Sequence, residues 1–365
     1  LPAKTKDFKV MKHAVLLTSI PSPYMVELID AVNAAGRWNI MPLYERYSSK
    51  GRRWNISAVK HDYIVLKENG PRASEKIISE SDLVVIGTLW GKNSNTVLRY
   101  QKKYSKPLVF WGERPGAVWR NFVANAIRPL LLSQRFGHVK AVWGIGEWAV
   151  EEYRRCLPSV KMFANMPYAS NLSPYLNILR KENNKPHSQP VRILYSGALI
   201  HRKGVDLLIS AFIKLLNEGV QATLTMMGHG ELETKLKTMV PERLKDCINF
   251  LGFKEWHELP IVYAEHDLLV APSRYDGWGL IVVEGLAAGM PVIATNMMGS
   301  AIDFLKHGKN GWMTSAGDGK SLYSALKEAL SALLLEMGKT ARKSVECWTL
   351  DKAAQRWCDL ADAVL

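Results

Sequence analysis

Cysteine is scarce and unpatterned. Cys156, Cys247, Cys347 and Cys358 stand far apart, with no Cys-x-x-Cys spacing. That argues against a zinc site and against a disulfide framework, and it fits a reducing cytoplasm. No apolar run reaches the roughly 18 residues that a transmembrane helix needs. No secretory leader pattern opens the chain, and residues 1–10 read as an extension outside the fold. Acidic residues are thin in the first half, where residues 1–182 carry 28 Lys and Arg against 14 Asp and Glu. Residues 183–365 carry 20 against 20, so the whole formal charge of +14 lies in the first half. Solubility, helped by Lys4, Lys6 and Lys9, is one explanation. A cationic face for anionic lipid or an acidic acceptor is the other.

What is present is ordinary in amount and regular in order. A chain of 365 residues is long for one core and suits two domains. Short apolar runs read as buried strands at HAVLLTSI (13–20), YIVLK (63–67), DLVVIG (82–87), PLVFWG (107–112) and AVWGIG (141–146), and residues 24–35 have helical apolar spacing. The stretch 170–190, rich in Asn, Pro, Ser and Lys, reads as a linker. The alternation restarts at VRILYSG (191–197) and continues through ATLTMMG, CINFLGF, DLLVAPS and PVIAT. Strand–helix alternation predicts parallel sheets covered on both faces. The expected layout is therefore an α/β chain with a Rossmann-like lobe over 11–170 and a linker over 171–190. A second Rossmann-like lobe follows over 191–345, and a terminal helix over 346–365. Ligands of such sheets bind beyond the C-terminal strand ends, here in a cleft between the lobes.

The segment SRYDGWGLIVVEGLAAGMPV (273–292) carries the chemistry. A strand enters a turn containing Gly277 and Gly279, then a helix, then a Gly-Met-Pro stop. Turn glycines let backbone amides approach a ligand, and a helix N-terminus adds partial positive charge, which together suit a phosphate. Asp276 and Glu284 place one carboxylate at the lip of that turn and one farther along, where sugar hydroxyls explain them better than phosphate does. A second turn, Gly197-Ala198-Leu199-Ile200-His201-Arg202-Lys203-Gly204, follows the first strand of the second lobe and brings cations.

Together these residues resemble the signature of the retaining GT-B glycosyltransferases of family GT4 (glycosyl transferases group 1), whose pattern is an acid, seven residues, then Glu. The resemblance implies two Rossmann-like lobes, the first binding the acceptor and the second the nucleotide sugar, with the terminal helix crossing back to the first. It implies that Lys203 neutralises the diphosphate, that Asp276 contacts the donor sugar and that Glu284 holds the ribose. Gly197, Arg202, Gly277, Trp278, Gly279 and Leu280 would complete the donor site. Gly228-His229-Gly230-Glu231-Leu232 resembles the family's turn lining the cleft, and Asn249-Phe250-Leu251-Gly252-Phe253 its base-binding strand end; His229, Leu251 and Phe253 come from these. Three departures stand out. Asp276 occupies a position that is usually Glu, Ala198 one that is often Arg, and no His follows PLVFW. Glu113 and Arg114 stand there instead, as acceptor or donor contacts or as a structural ion pair. Ser22 and Tyr24, after the first strand, are the other acceptor-side candidates.

One segment remains outside the resemblance. From Val118 to Phe136, aromatics and leucines mix with Arg120, Arg128 and Arg135. It suits a helix lying on a membrane, or a core helix broken at Pro129. Among rivals, Gly144-Ile145-Gly146-Glu147-Trp148-Ala149 formally matches a dinucleotide turn, but 160–168 supplies no acid for a ribose. A nucleic-acid-binding protein would leave Asp276 and Glu284 unexplained. Another GT-B enzyme, such as a sugar-nucleotide epimerase or a phosphorylase, is the third rival. The resulting expectation is a cytoplasmic enzyme, free or peripheral on the inner face of a membrane. It would move a hexose from a UDP- or GDP-sugar to a glycan or lipid-linked acceptor, with retention. No Asp-x-Asp triplet occurs, so no cofactor and no obligatory metal are expected, and no nucleic-acid partner.

Overall fold

The computed structural model describes residues 11–48, 59–115, 122–178 and 190–365. The chain divides into two compact units. The first comprises the residues up to Ile145 together with Ala149–Ser170 and Leu350–Leu365; the second comprises Gly146–Trp148 and Asn171–Thr349.

The first unit is built on β1 (Lys12–Thr18), β2 (Trp38–Tyr44), β3 (Ile64–Val65), β4 (Leu83–Ile86), β5 (Leu108–Gly112), β6 (Ala141–Gly144) and β7 (Met162–Asn165). These form one parallel sheet in the order β3-β2-β1-β4-β5-β6-β7. Its helices are α1 (Pro23–Ala34), α2 (Leu66–Asn69), α3 (Ser74–Glu80), α4 (Lys92–Lys103), α5 (Phe122–Phe136) and α6 (Glu147–Cys156). Valines, isoleucines and leucines on consecutive strand positions bury both faces of the sheet, as in β4, where all four residues are buried. Helices on each face supply the covering layer.

Three sequence expectations change here. YIVLK is a two-residue strand that turns at once into α2, because β3 is the sheet edge and has a single neighbour. The strand WNIMPLY, interrupted by Pro42, carries no strand signal, yet it pairs with β1 along its whole length. Segment α5 runs unbroken through Pro129, so proline does not end it; Val118 to Asn121 lie outside the described residues.

The second unit begins with α7 (Ser173–Leu176), inside the stretch read as linker. Its parallel sheet comprises β8 (Val191–Ser196), β9 (Ala222–Met227), β10 (Ile248–Gly252), β11 (Leu268–Ala271), β12 (Val292–Thr295) and β13 (Gly311–Thr314), in the order β10-β9-β8-β11-β12-β13. The helices are α8 (Val205–Asn217), α9 (Glu233–Met239), α10 (Leu259–Ala264), α11 (Leu280–Ala287), α12 (Gly299–Phe304), α13 (Gly319–Leu330) and α14 (Leu334–Val345). One core face gathers Ile193, Tyr195, Leu208, Phe212, Leu224, Leu268 and Trp312.

The chain ends in α15 (Leu350–Asp362), which belongs to the first unit. Trp357 is fully buried and packs edge-on against Trp38 and Trp143, at 5.8 and 5.6 Å between ring centres. Asp362 accepts from Lys12 at 2.8 Å and from the Trp38 indole at 3.0 Å, and it also pairs with Arg37. The expected terminal helix over 346–365 thus starts four residues later, and Trp348 lies before it, in the second unit, against Phe304 at 5.9 Å. Among the described residues no helix is long and apolar enough to cross a membrane.

Candidate functional site

In the second sheet the strand order reverses between β8 and β11, since the chain moves outward to β9 from one and to β12 from the other. Loops leaving two such strands diverge and open a crevice at their C-terminal ends. The Gly197–Gly204 turn leaves β8 and the Pro272–Gly279 turn leaves β11, so both chemistry-bearing segments meet at that crevice.

Three backbone approaches hold these loops in place. Gly204 has φ +69° and caps α8, and a Cβ there would sit 2.0 Å from the Pro272 carbonyl oxygen. A Cβ at Gly228 would lie 1.9 Å from the Gly197 oxygen. The Arg274 amide donates to the Arg202 carbonyl at 2.8 Å. Side chains reinforce the same seam. Arg274 forks onto Asp206 with two 2.7 Å bonds, and its Nη1 also donates to the His201 carbonyl at 2.7 Å. Burial by itself would raise the Asp206 pKa, but the bonds from Arg274 outweigh it and hold the carboxyl below its ordinary value. Tyr195 reaches up from β8 to donate to the Ala198 carbonyl at 2.7 Å. Burial, then the charge of Asp276, pushes that phenol's pKa well up, so it remains a donor.

At the mouth, Lys203 Nζ donates to Asp276 Oδ2, both side chains being largely buried. Arg202 Nη1 stands 3.7 Å from Asp276 Oδ1 and donates to the Tyr275 carbonyl at 2.8 Å. Behind them starts α11. Gly279, at φ +85°, is its N-cap, and no side chain caps the helix amides among the described residues. Ser300 fixes this entry: its hydroxyl lies 2.8 Å from the Trp278 carbonyl and 2.7 Å from that of Gly279. Gly277 is buried, Leu280 half-buried, and Trp278 only 1% exposed, its ring against Phe304. The indole of Trp278 therefore belongs to the core rather than to the mouth of the crevice.

Glu284 lies on the second turn of α11 and accepts from the Tyr263 hydroxyl of α10 at 3.2 Å. Burial, then the charge of Glu284, raises the Tyr263 pKa. The third wall comes from β9 and β10. His229 Nδ1 lies 2.9 Å from Glu233, and the Phe253 amide donates to His229 Nε2 at 3.3 Å. One ring nitrogen accepting fixes the proton on the other, so His229 donates from Nδ1 to Glu233. Leu251 is the bulged residue between Phe250 and Gly252, and Phe253 beyond it is 38% exposed.

The structure thus brings Arg202, Lys203 and Asp276 together at one crevice, with Gly197, Gly277 and Gly279 on the same two loops and Leu280 opening α11. Cations, glycine turns and uncapped helix amides suit an anionic group such as a diphosphate. Tyr195, Tyr263, Arg274 and Ser300 support this arrangement, and none stands out in the sequence. Arg274, Tyr263 and Ser300 find partners 68, 21 and 22 residues away. Tyr195 bonds to a backbone carbonyl, which residues of every type carry.

The acceptor-side candidates lie in the first unit, after β1 and β5. Ser22 is buried and precedes α1, and Tyr24 packs against Tyr168 with the rings tilted, 4.7 Å between centres. Glu113 is exposed, and its carbonyl accepts from the Tyr153 hydroxyl at 2.6 Å. Arg114 reaches Glu152 of α6 at 3.9 Å.

Comparison with known proteins places these features. Residues 177–344, which lie within the second unit, match the family model described as glycosyl transferases group 1. The chain is 30% identical over 158 residues to the amylovoran biosynthesis glycosyltransferase AmsK of Erwinia amylovora, covering 41% of this chain and 37% of that protein. It is 33% identical over 157 residues to the lipopolysaccharide core biosynthesis mannosyltransferase LpcC of Rhizobium leguminosarum bv. viciae, covering 41% and 44%. The chain thus spans less than half the length of these relatives. Among solved structures, Anabaena Alr3699/HepE in complex with UDP superposes with a TM-score of 0.73 at 16% identity, covering 97% of this chain and 100% of that one. Sucrose-phosphate synthase from Thermosynechococcus elongatus gives 0.73 at 18% identity, covering 97% and 99%. With two parallel-sheet Rossmann-like domains, the fold is GT-B.

Proposed function

We propose that this chain is a glycosyltransferase that moves a hexose from a nucleotide diphosphate sugar to a glycan or glycolipid acceptor, with retention at the anomeric carbon. The observation that carries this reading is the meeting of Lys203 and Arg202 with Asp276 at the strand-order reversal, in front of the uncapped start of α11.

The bond from the anomeric carbon to the diphosphate breaks as the acceptor hydroxyl oxygen bonds to that carbon from the same face, and the hydroxyl proton passes to the departing diphosphate oxygen. Charge builds on the departing diphosphate. Lys203, Arg202 and the first amides of α11 stabilise it, and they act most strongly where charge develops. Asp276 orients the sugar, Glu284 holds the ribose, and the strand end at Leu251 and Phe253 receives the base. The UDP bound by Alr3699/HepE supports a UDP-sugar as donor, with a GDP-sugar as the alternative. The names of the relatives, in amylovoran and lipopolysaccharide core biosynthesis, support a surface glycan or glycolipid as acceptor. A cytoplasmic site of action fits such a donor.

The test is a thermal-shift and donor-hydrolysis screen over UDP-, GDP- and ADP-sugars, with nicotinamide cofactors and DNA as controls. Stabilisation and hydrolysis with one sugar nucleotide class are expected. A response to the controls alone would overturn the reading.

A further inference from the structure

The first unit carries a surface that the donor site does not use. On α5, Ile127, Leu130 and Leu131 fall on one face at i, i+3 and i+4, and they are 45, 60 and 42% exposed. Their opposite face is spent on the core, where Leu132 and Phe136 are buried. Arg128 and Arg135, one heptad apart, run along the flank of the exposed stripe. Arg135 stacks over Trp90 at 4.9 Å and donates to Ser94 of α4 at 2.8 Å, which ties the two helices together. Trp90 itself is 53% exposed. Leu98, Arg99, Lys102, Arg135 and His138 line one open groove between α4 and α5.

Cations dominate this surface. Neither α4 nor α5 contains an Asp or Glu, while α4 carries Lys92, Arg99 and Lys102, together with Lys103, which pairs with Glu75 of α3 at 2.6 Å, and α5 carries Arg128 and Arg135. A stripe of exposed aliphatic residues is poorly suited to nucleic acid, which rewards cations and stacking rings instead. Aliphatic side chains beside a tryptophan and a row of cations match the boundary between acyl chains and anionic headgroups.

We infer that the α5 face, with the adjoining α4 cations, docks the protein on an anionic lipid bilayer. Ile127, Leu130 and Leu131 enter the headgroup–acyl boundary, and Arg99 and Lys102 pair with lipid phosphates. This surface belongs to the first unit and the donor residues to the second, so the inference does not depend on the proposed reaction.

Co-sedimentation with phosphatidylcholine vesicles, with and without about one-third phosphatidylglycerol, tests it. Binding is expected to the anionic vesicles and to fall steeply as salt is raised. Leu130→Glu with Leu131→Glu should weaken it more than about tenfold, through lost apolar burial and added negative charge. Arg99→Glu with Lys102→Glu should weaken it by about fivefold or more for each charge reversed. All four residues lie outside the donor site, so donor hydrolysis by both double variants should equal that of the parent. Equal binding to neutral vesicles, or anionic binding untouched by either double variant, would overturn the inference. So would light scattering showing a dimer that Leu130→Glu dissociates, since a second copy would then cover the face.

Discussion

Lys203 and Asp276, 73 residues apart in sequence, form an ion pair across the two loops at which the second sheet reverses its strand order. Each side chain is largely buried, and Arg202 adds a second cation 3.7 Å from the same carboxylate. In a partly desolvated crevice, a carboxylate between two cations keeps both in place for an anionic ligand.

Lys203→Ala should lower glycosyl transfer about a hundredfold or more, by the usual cost of removing one group that stabilises developing charge. Folding should be intact, as judged by circular dichroism and the melting temperature. Near-normal turnover would remove Lys203 from the diphosphate site.

Asp276→Asn should reduce turnover about ten- to a hundredfold, the loss of one charge-assisted hydrogen bond. Asp276→Glu keeps the charge and should recover part of the rate. Steady-state kinetics of both variants check this, and equal rates for Asn and Glu would contradict a role for the charge.

Transfer should continue in the presence of EDTA, because in the proposed reaction Lys203 and Arg202, rather than a metal, balance the charge of the diphosphate. Loss of transfer on chelation, restored by a divalent ion, would refute this account of leaving-group stabilisation.

Gly204→Ala should destabilise the second unit by about 3 kcal/mol or more, since the left-handed backbone and the contact with the Pro272 oxygen both oppose a side chain. Thermal denaturation should show the loss as a fall of about 5 °C or more. An unchanged melting temperature would mean that the two loops are not held at this point.

Asp362 sets a pH dependence in the first unit. Burial would raise its pKa, but hydrogen bonds from Lys12, Arg37 and Trp38 hold it at about 2, below the ordinary 3.8. A carboxyl with a depressed folded value stabilises the fold above its unfolded pKa and loses that contribution as pH falls towards about 2. Asp362→Ala should therefore be less stable than the parent at about pH 7, and the difference should shrink between about pH 4 and about pH 2. Urea denaturation across that range measures it; a difference independent of pH would rule out the ionised carboxylate as its source.

Much of the second unit was legible in the sequence. Local signals carried it: apolar runs for β8 to β12, glycines at the turns, and the spacing of Asp276 and Glu284. The first unit was less legible. WNIMPLY alternates poorly and contains Pro42, yet it pairs fully with β1, because a strand's neighbours rather than its own propensities decide its pairing. Tyr195, Tyr263, Arg274 and Ser300 were missed because each reaches a partner set by the fold, and a tyrosine or serine bound for a loop carbonyl looks like any other.

The sequence by itself determined which chemical groups are available to the site. Glycine where backbone must pass close to backbone, a lysine after one strand and two acids after another are covalent facts that no folding could supply. Only the tertiary structure decided that Lys203 meets Asp276, that the Trp278 ring belongs to the core, and that Leu130 and Leu131 face outward while Leu132 does not. Those outcomes depend on which strands lie side by side and which face of a helix the sheet covers. Both are settled by the burial of the whole chain rather than by any local run of residues.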